Sequence, residues 1–383
     1  MEISKQMWYT VSRGGLMIKV TLSNEILKRI SIIDENRFSL RTIALPQLTQ
    51  NRLRKNSKKK SSYASNKIEG NPLTEAQANA AMEADSHKHF LKPEQEVRNY
   101  FLALNLLEEK RKKNLPFSKE LLLEVQAMVE KGASKEKIGL RGPTPPGVLF
   151  AVYDTESGAP EYIPPEYCDI PALLDELVEY VNTTDDHPLI IAAVVHYQLV
   201  TIHPFEDGNG RTARLMSGYI LDLNGYGFNG VGSLEEYFAY DPEEYYASLQ
   251  MGLPALYYSG RENPPHPEIW VNYFLRMMEL YSKKVCELSL SSTEDELAGS
   301  LSYLNLKEKE LLAFLLKKQL VEFTPIEVSK LLGVTNKTII NRCAKLTANG
   351  FLIPNIAKER IRSYSLSEFA KKESKQILKR ITM

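Results

Sequence analysis

His203-Pro204-Phe205-Glu206-Asp207-Gly208-Asn209-Gly210-Arg211-Thr212-Ala213-Arg214 sets an imidazole, a carboxylate, a glycine-rich turn and two guanidiniums in one short run. Read as chemistry, these groups describe a site for a polyphosphate whose phosphorus is attacked by a hydroxyl. Gly208 and Gly210 lack a Cβ, so the backbone there can approach an anion closely and take positive φ. Beyond them Leu215, Met216, Tyr219 and Ile220 recur at helical spacing. The turn is therefore predicted at a helix N-terminus, where unpaired N–H groups and the dipole favour negative charge. Arg211 and Arg214 are expected in the first turn of that helix, where a positive charge opposes the dipole. Two such charges point to a bound anion as their counterpart.

A second segment lies far upstream, Ser65-Asn66-Lys67-Ile68-Glu69-Gly70-Asn71. Ser65 and Glu69 are four apart and share one helix face. Gly70 is a predicted C-cap, and Asn71-Pro72 cannot continue the helix. Glu69 then sits at a helix C-terminus, where its charge is unfavourable. A pair between Glu69 and Arg214 would relieve both misplaced charges.

The His203 segment resembles the signature of Fic-domain proteins, HPFx(D/E)GNGRxxR, and matches it at every fixed position. Ala213 stands where that pattern often has Gly. The Ser65 segment resembles the family's inhibitory motif, [ST]xxxE[GN], in the class whose inhibitory helix is N-terminal. The resemblance implies a protein adenylyltransferase that moves AMP from ATP onto a Ser, Thr or Tyr hydroxyl of a target protein or of itself. It implies that His203 is the general base, a task suited to a side chain that titrates near neutral pH. It implies that Asp207 holds Mg²⁺, and that Gly208, Asn209 and Gly210 bind phosphate oxygens. Arg211 would meet the β-phosphate and Arg214 the γ-phosphate. Glu69, with Ser65, would occupy the γ-phosphate position by pairing with Arg214. Neither a G-x-x-x-x-G-K-[ST] loop nor a G-x-G-x-x-G turn competes with this reading.

The chain has 383 residues, 43% of them hydrophobic, and a formal net charge of zero. The length allows two or three domains. Zero net charge removes any global pull toward nucleic acid or anionic lipid. No apolar run reaches membrane-spanning length. Cys168, Cys286 and Cys343 show no zinc spacing, and their odd number argues against a disulfide framework. With no apolar stretch behind Met1-Glu2-Ile3-Ser4, a cytoplasmic location is expected.

Three parts are expected: a helical region over 1–92, a catalytic domain over 93–290, and a third domain over 301–383. Helical periodicity marks 25–33, 53–68, 94–112, 119–131, 171–183 and 188–201. The basic run 52–60 reads as a solvated helix face, and His196 as a core histidine. Between turn-forming Gly142–Gly147 and Gly158–Pro165, the stretch Val148-Leu149-Phe150-Ala151-Val152-Tyr153 reads as one strand of a β-hairpin. It holds the position of the Fic flap, which the resemblance implies pairs with an extended target segment. Tyr245 and Tyr246 belong to an aromatic cluster that packing explains; the resemblance places them beside adenine and ribose. Polar residues 291–296 are expected as a linker. Beyond them, 324–342 reads as helix, tight turn at Gly333, and a second helix capped by Thr335. Two strands follow near 350–353 and 362–366. This pattern resembles a winged helix-turn-helix, which implies either DNA contact through Thr335, Asn336, Lys337, Thr338, Asn341 and Arg342 or a role in dimerisation or docking. The fold class is thus mainly α, a Fic helical domain with a β-hairpin flap and a C-terminal winged helix. Two other readings stand beside AMP transfer: removal of AMP with Glu69 orienting water, and a DNA-binding regulator that senses a nucleotide.

Overall fold

The computed structural model describes residues 18–43, 45, 47–85, 89–133, 138–148, 150–153, 160–253, 265–320, 322–357 and 360–382. The protein is mainly helical. Its described residues gather into two compact units, one reaching to Asp34 and resuming over Arg54–Ser282, the other comprising Glu35–Leu53 and the chain from Lys283 onward.

The first unit is organised around the helix Pro188–Ile202, which is apolar on all sides and buried along nearly its whole length. Pro188 opens it, and His187 Nδ1 accepts the Leu189 N–H at 3.3 Å. The helix Asn209–Leu223 packs along it, and Lys92–Lys112 and Lys119–Glu130 pack on Asn209–Leu223 in turn. The predicted helices at 94–112, 119–131, 171–183 and 188–201 appear at Lys92–Lys112, Lys119–Glu130, Ile170–Thr183 and Pro188–Ile202. Glu75–Glu83 was not anticipated. Its buried face is two alanines and Met82, a weak apolar signal, and its start is set by a capping box between Thr74 and Gln77. The basic run meets partners inside this unit: Lys58 pairs with Glu108, Lys59 with Glu83 and Lys60 with Glu236.

The expected strand over 148–153 is shorter than predicted. Only Val152–Tyr153 is extended and paired, antiparallel to Pro160–Tyr162. Leu149 lies outside the described residues, and Val148, Phe150 and Ala151 are not in a strand. The reason is local. The Val148 N–H bonds to the Pro145 carbonyl at 3.0 Å and the Val148 carbonyl accepts from Thr144 Oγ1 at 2.7 Å. Both of its backbone groups are taken by the preceding turn.

In the second unit, helices Leu306–Lys317, Pro325–Leu332 and Asn336–Ala348 pack with an antiparallel sheet. In that sheet Arg360–Leu366 lies between Glu322–Phe323 and Leu352–Ala357. Gly333, at φ 64°, ends one helix, and the Thr335 hydroxyl caps the next by accepting from Thr338 N–H. Leu312, Leu315, Val328, Ile339, Leu346 and Phe351 fill the interior. Residues 291–296, expected as a linker, continue the helix Pro267–Ser302. Neither Gly nor Pro interrupts this stretch, and Thr293 is buried with its hydroxyl bonded back to the Ser289 carbonyl at 2.8 Å. No helix among the described residues is long and apolar enough to cross a membrane.

Candidate active site

His203 ends the helix Pro188–Ile202 in a left-handed conformation, φ 48° and ψ 59°, while its N–H still bonds to the Leu199 carbonyl at 3.1 Å. Its Nδ1 lies 3.3 Å from the Val200 carbonyl. A carbonyl only accepts, so the proton resides on Nδ1 and Nε2 is the basic nitrogen. Burial pushes the imidazole pKa down to about 4; Arg141 adds to this, while the Val200 bond, Glu69 and Asp207 oppose it. At neutral pH the ring is an uncharged base.

Arg141 holds the loop that follows. Its Nε donates to the His203 carbonyl at 2.7 Å, its backbone N–H to Pro204 at 2.9 Å, and Nη2 to Pro165. The Phe150 ring lies 4.6 Å from the Arg141 guanidinium and 6.0 Å from the His203 ring. Phe205 is buried, and Asn209 closes the loop from inside: its Oδ1 accepts the Phe205 N–H at 3.0 Å and its Nδ2 donates to the Phe205 carbonyl at 2.9 Å. The Asn209 amide is thus committed to protein. Gly208, at φ 81°, is the N-cap of Asn209–Leu223. A Cβ there would fall 2.5 Å from Glu130 Oε1, so only glycine fits.

Arg211 is buried among carboxylates. Its Nη2 lies 2.9 Å from Glu130 and 3.1 Å from Asp207 Oδ1, and its Nη1 lies 3.9 Å from Glu96. Asp207 Oδ1 also accepts the Gly208 N–H at 2.7 Å, and its side chain stays 36% exposed. Glu130 is 1% exposed, and neither oxygen makes a well-directed hydrogen bond. Burial raises its pKa to about 7; Arg211 opposes the rise, and Asp207 and Glu96 add to it.

Arg214 lies in the second turn of its helix, one turn later than expected. Its side chain is 1% exposed. It donates to Ser65 Oγ at 2.9 Å, the Ser65 carbonyl at 3.1 Å, Glu69 Oε1 at 2.5 Å and the Tyr245 hydroxyl at 3.3 Å. Glu69 follows the last residue of helix Gln47–Ile68, with Gly70 left-handed at φ 77°. Burial pushes the Glu69 carboxyl up, but Arg214, Arg211 and, more weakly, His203 outweigh it and hold the pKa below the ordinary value. A Cβ on Gly210 would fall 2.4 Å from Glu69 Oε1, so the ion pair lies against that glycine.

The structure thus brings His203, Asp207, Gly208, Gly210, Arg211, Arg214, Ser65 and Glu69 to one end of the helix Asn209–Leu223. Tyr245 is buried, with its hydroxyl between Arg214 and His196. Tyr246 is 48% exposed, and its hydroxyl donates to the Ile68 carbonyl at 3.3 Å. Arg141 and Glu130 had escaped the sequence reading. Arg141 has no local signal, since its hydrogen-bond partners lie more than twenty residues away in sequence. Glu130 did have one: with Leu122 and Gln126 it continues a buried stripe at a spacing of four.

Residues 116–221, which include the His203 segment, match the model of the Fic/DOC family. Protein adenylyltransferase Fic of Drosophila mojavensis is 29% identical over 211 residues, 52% of this chain and 38% of that protein. The protein of the same name from Nematostella vectensis is 29% identical over 209 residues, 54% and 46% respectively. The matches therefore span less than half the length of these curated relatives. Among solved structures, a Fic family protein from Desulfovibrio desulfuricans G20 aligns with a TM-score of 0.56 at 20% identity, covering 91% of this chain and 98% of that one. Fic-1 from C. elegans aligns with a TM-score of 0.52 at 22% identity, covering 71% and 72%. The Fic domain match thus lies within residues 116–221, and the mainly helical architecture is the Fic fold.

Proposed function

We propose that the protein transfers AMP from ATP to a hydroxyl of a protein target. His203 Nε2 takes the hydroxyl proton, and the freed oxygen bonds to the α-phosphorus. The bond from that phosphorus to the β-bridging oxygen breaks, and pyrophosphate leaves. The observation that carries this reading is the convergence of an uncharged imidazole, two buried arginines and a glycine-capped helix N-terminus on one point. Backbone amides of Gly208, Asn209 and Gly210 bind phosphate oxygens, with Arg211 on the β- and Arg214 on the γ-phosphate. Most of the acceleration is then positioning and electrostatics.

The residues fit Mg²⁺. No group of three metal-binding side chains exists among the described residues. Mg²⁺ keeps several waters and takes one or two carboxylates beside the substrate's phosphates, so the partly exposed Asp207 suffices. When bound, the ion would neutralise phosphate charge. Asp207→Ala should therefore lower Mg²⁺-dependent transfer more than Glu206→Ala. A larger loss from Glu206→Ala would reassign the metal ligand.

Glu69 restrains the site, because its pair with Arg214 occupies the place of the γ-phosphate. Incubating the pure chain with labelled ATP tests both claims. Glu69→Gly should raise self- and target-labelling by ~10-fold or more, equivalent to roughly 1.4 kcal/mol of barrier. Arg214→Ala should lower it, the double variant should do no better than Arg214→Ala, and His203→Ala should abolish it. No change with Glu69→Gly would remove the restraint from the account. Release of AMP by the wild type, lost in Glu69→Gly, would favour the hydrolase reading.

For the second unit we propose a winged helix-turn-helix that binds DNA. The order of helices and strands supports this, as does the exposure of Thr335, Asn336, Lys337 and Asn341. Cys168, Cys286 and Cys343 are free thiols, which suits a reducing, cytoplasmic compartment.

A further inference from the structure

Arg214 is pinned by more than Glu69. On the opposite side from Ser65, its Nη1 reaches the Tyr245 hydroxyl at 3.3 Å, and that hydroxyl lies 3.0 Å from His196 Nε2. Tyr245 and His196 are both buried. The His196 ring stacks on Trp270, with centroids 4.7 Å apart, and the Trp270 indole N–H is fixed on the Ala193 carbonyl at 2.8 Å. Tyr245 packs edge-on against the His196 ring at 5.7 Å. Four aromatic and cationic groups thus form one continuous path from the core to the guanidinium.

The direction of each bond along this path follows from donor counting. A guanidinium only donates, so the phenol oxygen accepts from Arg214. The phenol proton then needs an acceptor, and His196 Nε2 supplies it. The opposite tautomer, with the proton on Nε2, would leave the buried phenol proton unbonded. It would also leave a bare lone pair on Nδ1, which has no partner among the described residues. The tautomer protonated at Nδ1 leaves one group unsatisfied in place of two, and it is the less costly arrangement. Burial, with Arg214 adding, holds the His196 pKa well below the ordinary value, so the ring is neutral and able to accept.

We infer that Tyr245 and His196 are positioning residues for Arg214, which they hold in its nucleotide-reading orientation once Glu69 is displaced. His196 takes the hydroxyl proton, and this turns a phenol lone pair toward Nη1. Of the four acceptors around Arg214, Glu69 is the one that ATP would replace. Ser65 and Tyr245 remain and form the permanent frame. The inference rests on the reading of Arg214 as the γ-phosphate arm.

The test is calorimetric titration of the full chain with ATP and with ADP in the Glu69→Gly background. Tyr245→Phe removes one hydrogen bond to a charged group, so ATP binding should weaken about tenfold while ADP binding changes less than about twofold. His196→Phe keeps the ring packing but deletes the acceptor, and should cause the same ATP-specific loss. The double variant should lose no more than either single one. His196→Gln, which retains an acceptor, should recover much of the ATP preference. A loss shared equally by ATP and ADP, or no loss, overturns the inference, because a merely structural role would not change the ratio. If Tyr245→Phe does not fold, His196→Phe and His196→Gln carry the same comparison. A separate readout is the Arg214 Nη1–H resonance of the nucleotide-free wild type, Nη1 being the atom that meets the Tyr245 hydroxyl. It should be protected from exchange and lose that protection in Tyr245→Phe. Failure of Glu69→Gly to bind ATP, with that resonance behaving as stated, would overturn the transfer reading and leave the positioning role standing.

Discussion

Glu130 is the residue whose placement is hardest to justify on stability alone. It lies under Gly208 with both oxygens lacking well-directed hydrogen bonds, and Arg211 at 2.9 Å is its compensation. Its folded pKa of about 7 exceeds the ordinary value of 4.5. Between those values the folded chain holds more of this proton than the unfolded chain does. Its contribution therefore favours folding at low pH and is lost as pH rises through about 7. Glu130→Gln abolishes that dependence. Thermal melts should show the variant gaining on the wild type from pH 5 to pH 8, by an amount on the order of a kcal/mol or more. An identical difference at both pH values would mean that Glu130 titrates normally. The histidines run the other way. His203 and His196 are neutral when folded, so their contribution is lost as pH falls below about 6.5. Wild-type stability alone would mix these opposing slopes, which is why the comparison with the variant is the informative one.

At the scale of elements, the loop after His203 is a short connection between two buried helices, held in shape by Arg141 from another part of the chain. Arg141 donates to backbone carbonyls of His203 and Pro165, and its own N–H meets Pro204. None of these contacts touches the helix Asn209–Leu223. Arg141→Ala should lower transfer by roughly 10- to 100-fold, the scale of a displacement of about 1 Å in a reacting group. ATP binding in the Glu69→Gly background should stay unchanged. Parallel initial rates and calorimetry check this, and equal losses in both would make Arg141 a nucleotide-binding residue. The turn that follows Glu69 is a second such element. Gly70 ends the helix, the Asn71 N–H returns to the Asn66 carbonyl at 3.0 Å, and the Asn71 side chain reaches Glu96 at 2.9 Å. These bonds fix where Glu69 points.

For the molecule as a whole, the DNA proposal makes an electrostatic prediction. Full-length protein should retard duplex DNA with an affinity that falls steeply as salt rises. Lys337→Glu and Arg342→Glu should each weaken that binding, and each should lower the salt slope by about one if the side chain meets a phosphate. Absence of retardation at low salt would turn the second unit toward a docking or dimerisation role. AMP transfer should survive both substitutions, since the His203 and Ser65 segments lie in the first unit.

Some of this organisation could be read before any coordinates. Helices such as Lys119–Glu130 and Pro188–Ile202 were legible because apolar spacing and end-capping residues act within a few positions. The Glu69–Arg214 pair was legible for a related reason: Glu69 stands at a helix end whose dipole disfavours it, and each charge offered the other a partner. Fic-type adenylylation entered through the twelve-residue match itself. Other features were decided only by tertiary structure. The strand expected at 148–153 gave way to a turn that occupies both backbone groups of Val148. Residues 291–296 stayed helical, with Thr293 buried and its hydroxyl bonded back to the Ser289 carbonyl within the helix. Tyr245 turned inward to Arg214 and His196, Asn209 spent its amide on Phe205, and Arg141 and Glu130 reached the loop from distant segments. Local backbone preference and dipole sign are properties of neighbours along the chain. Desolvation and hydrogen-bond partnership depend on what folding brings alongside, and those are what set the His203 pKa, the burial of Glu130 and the orientation of Arg214.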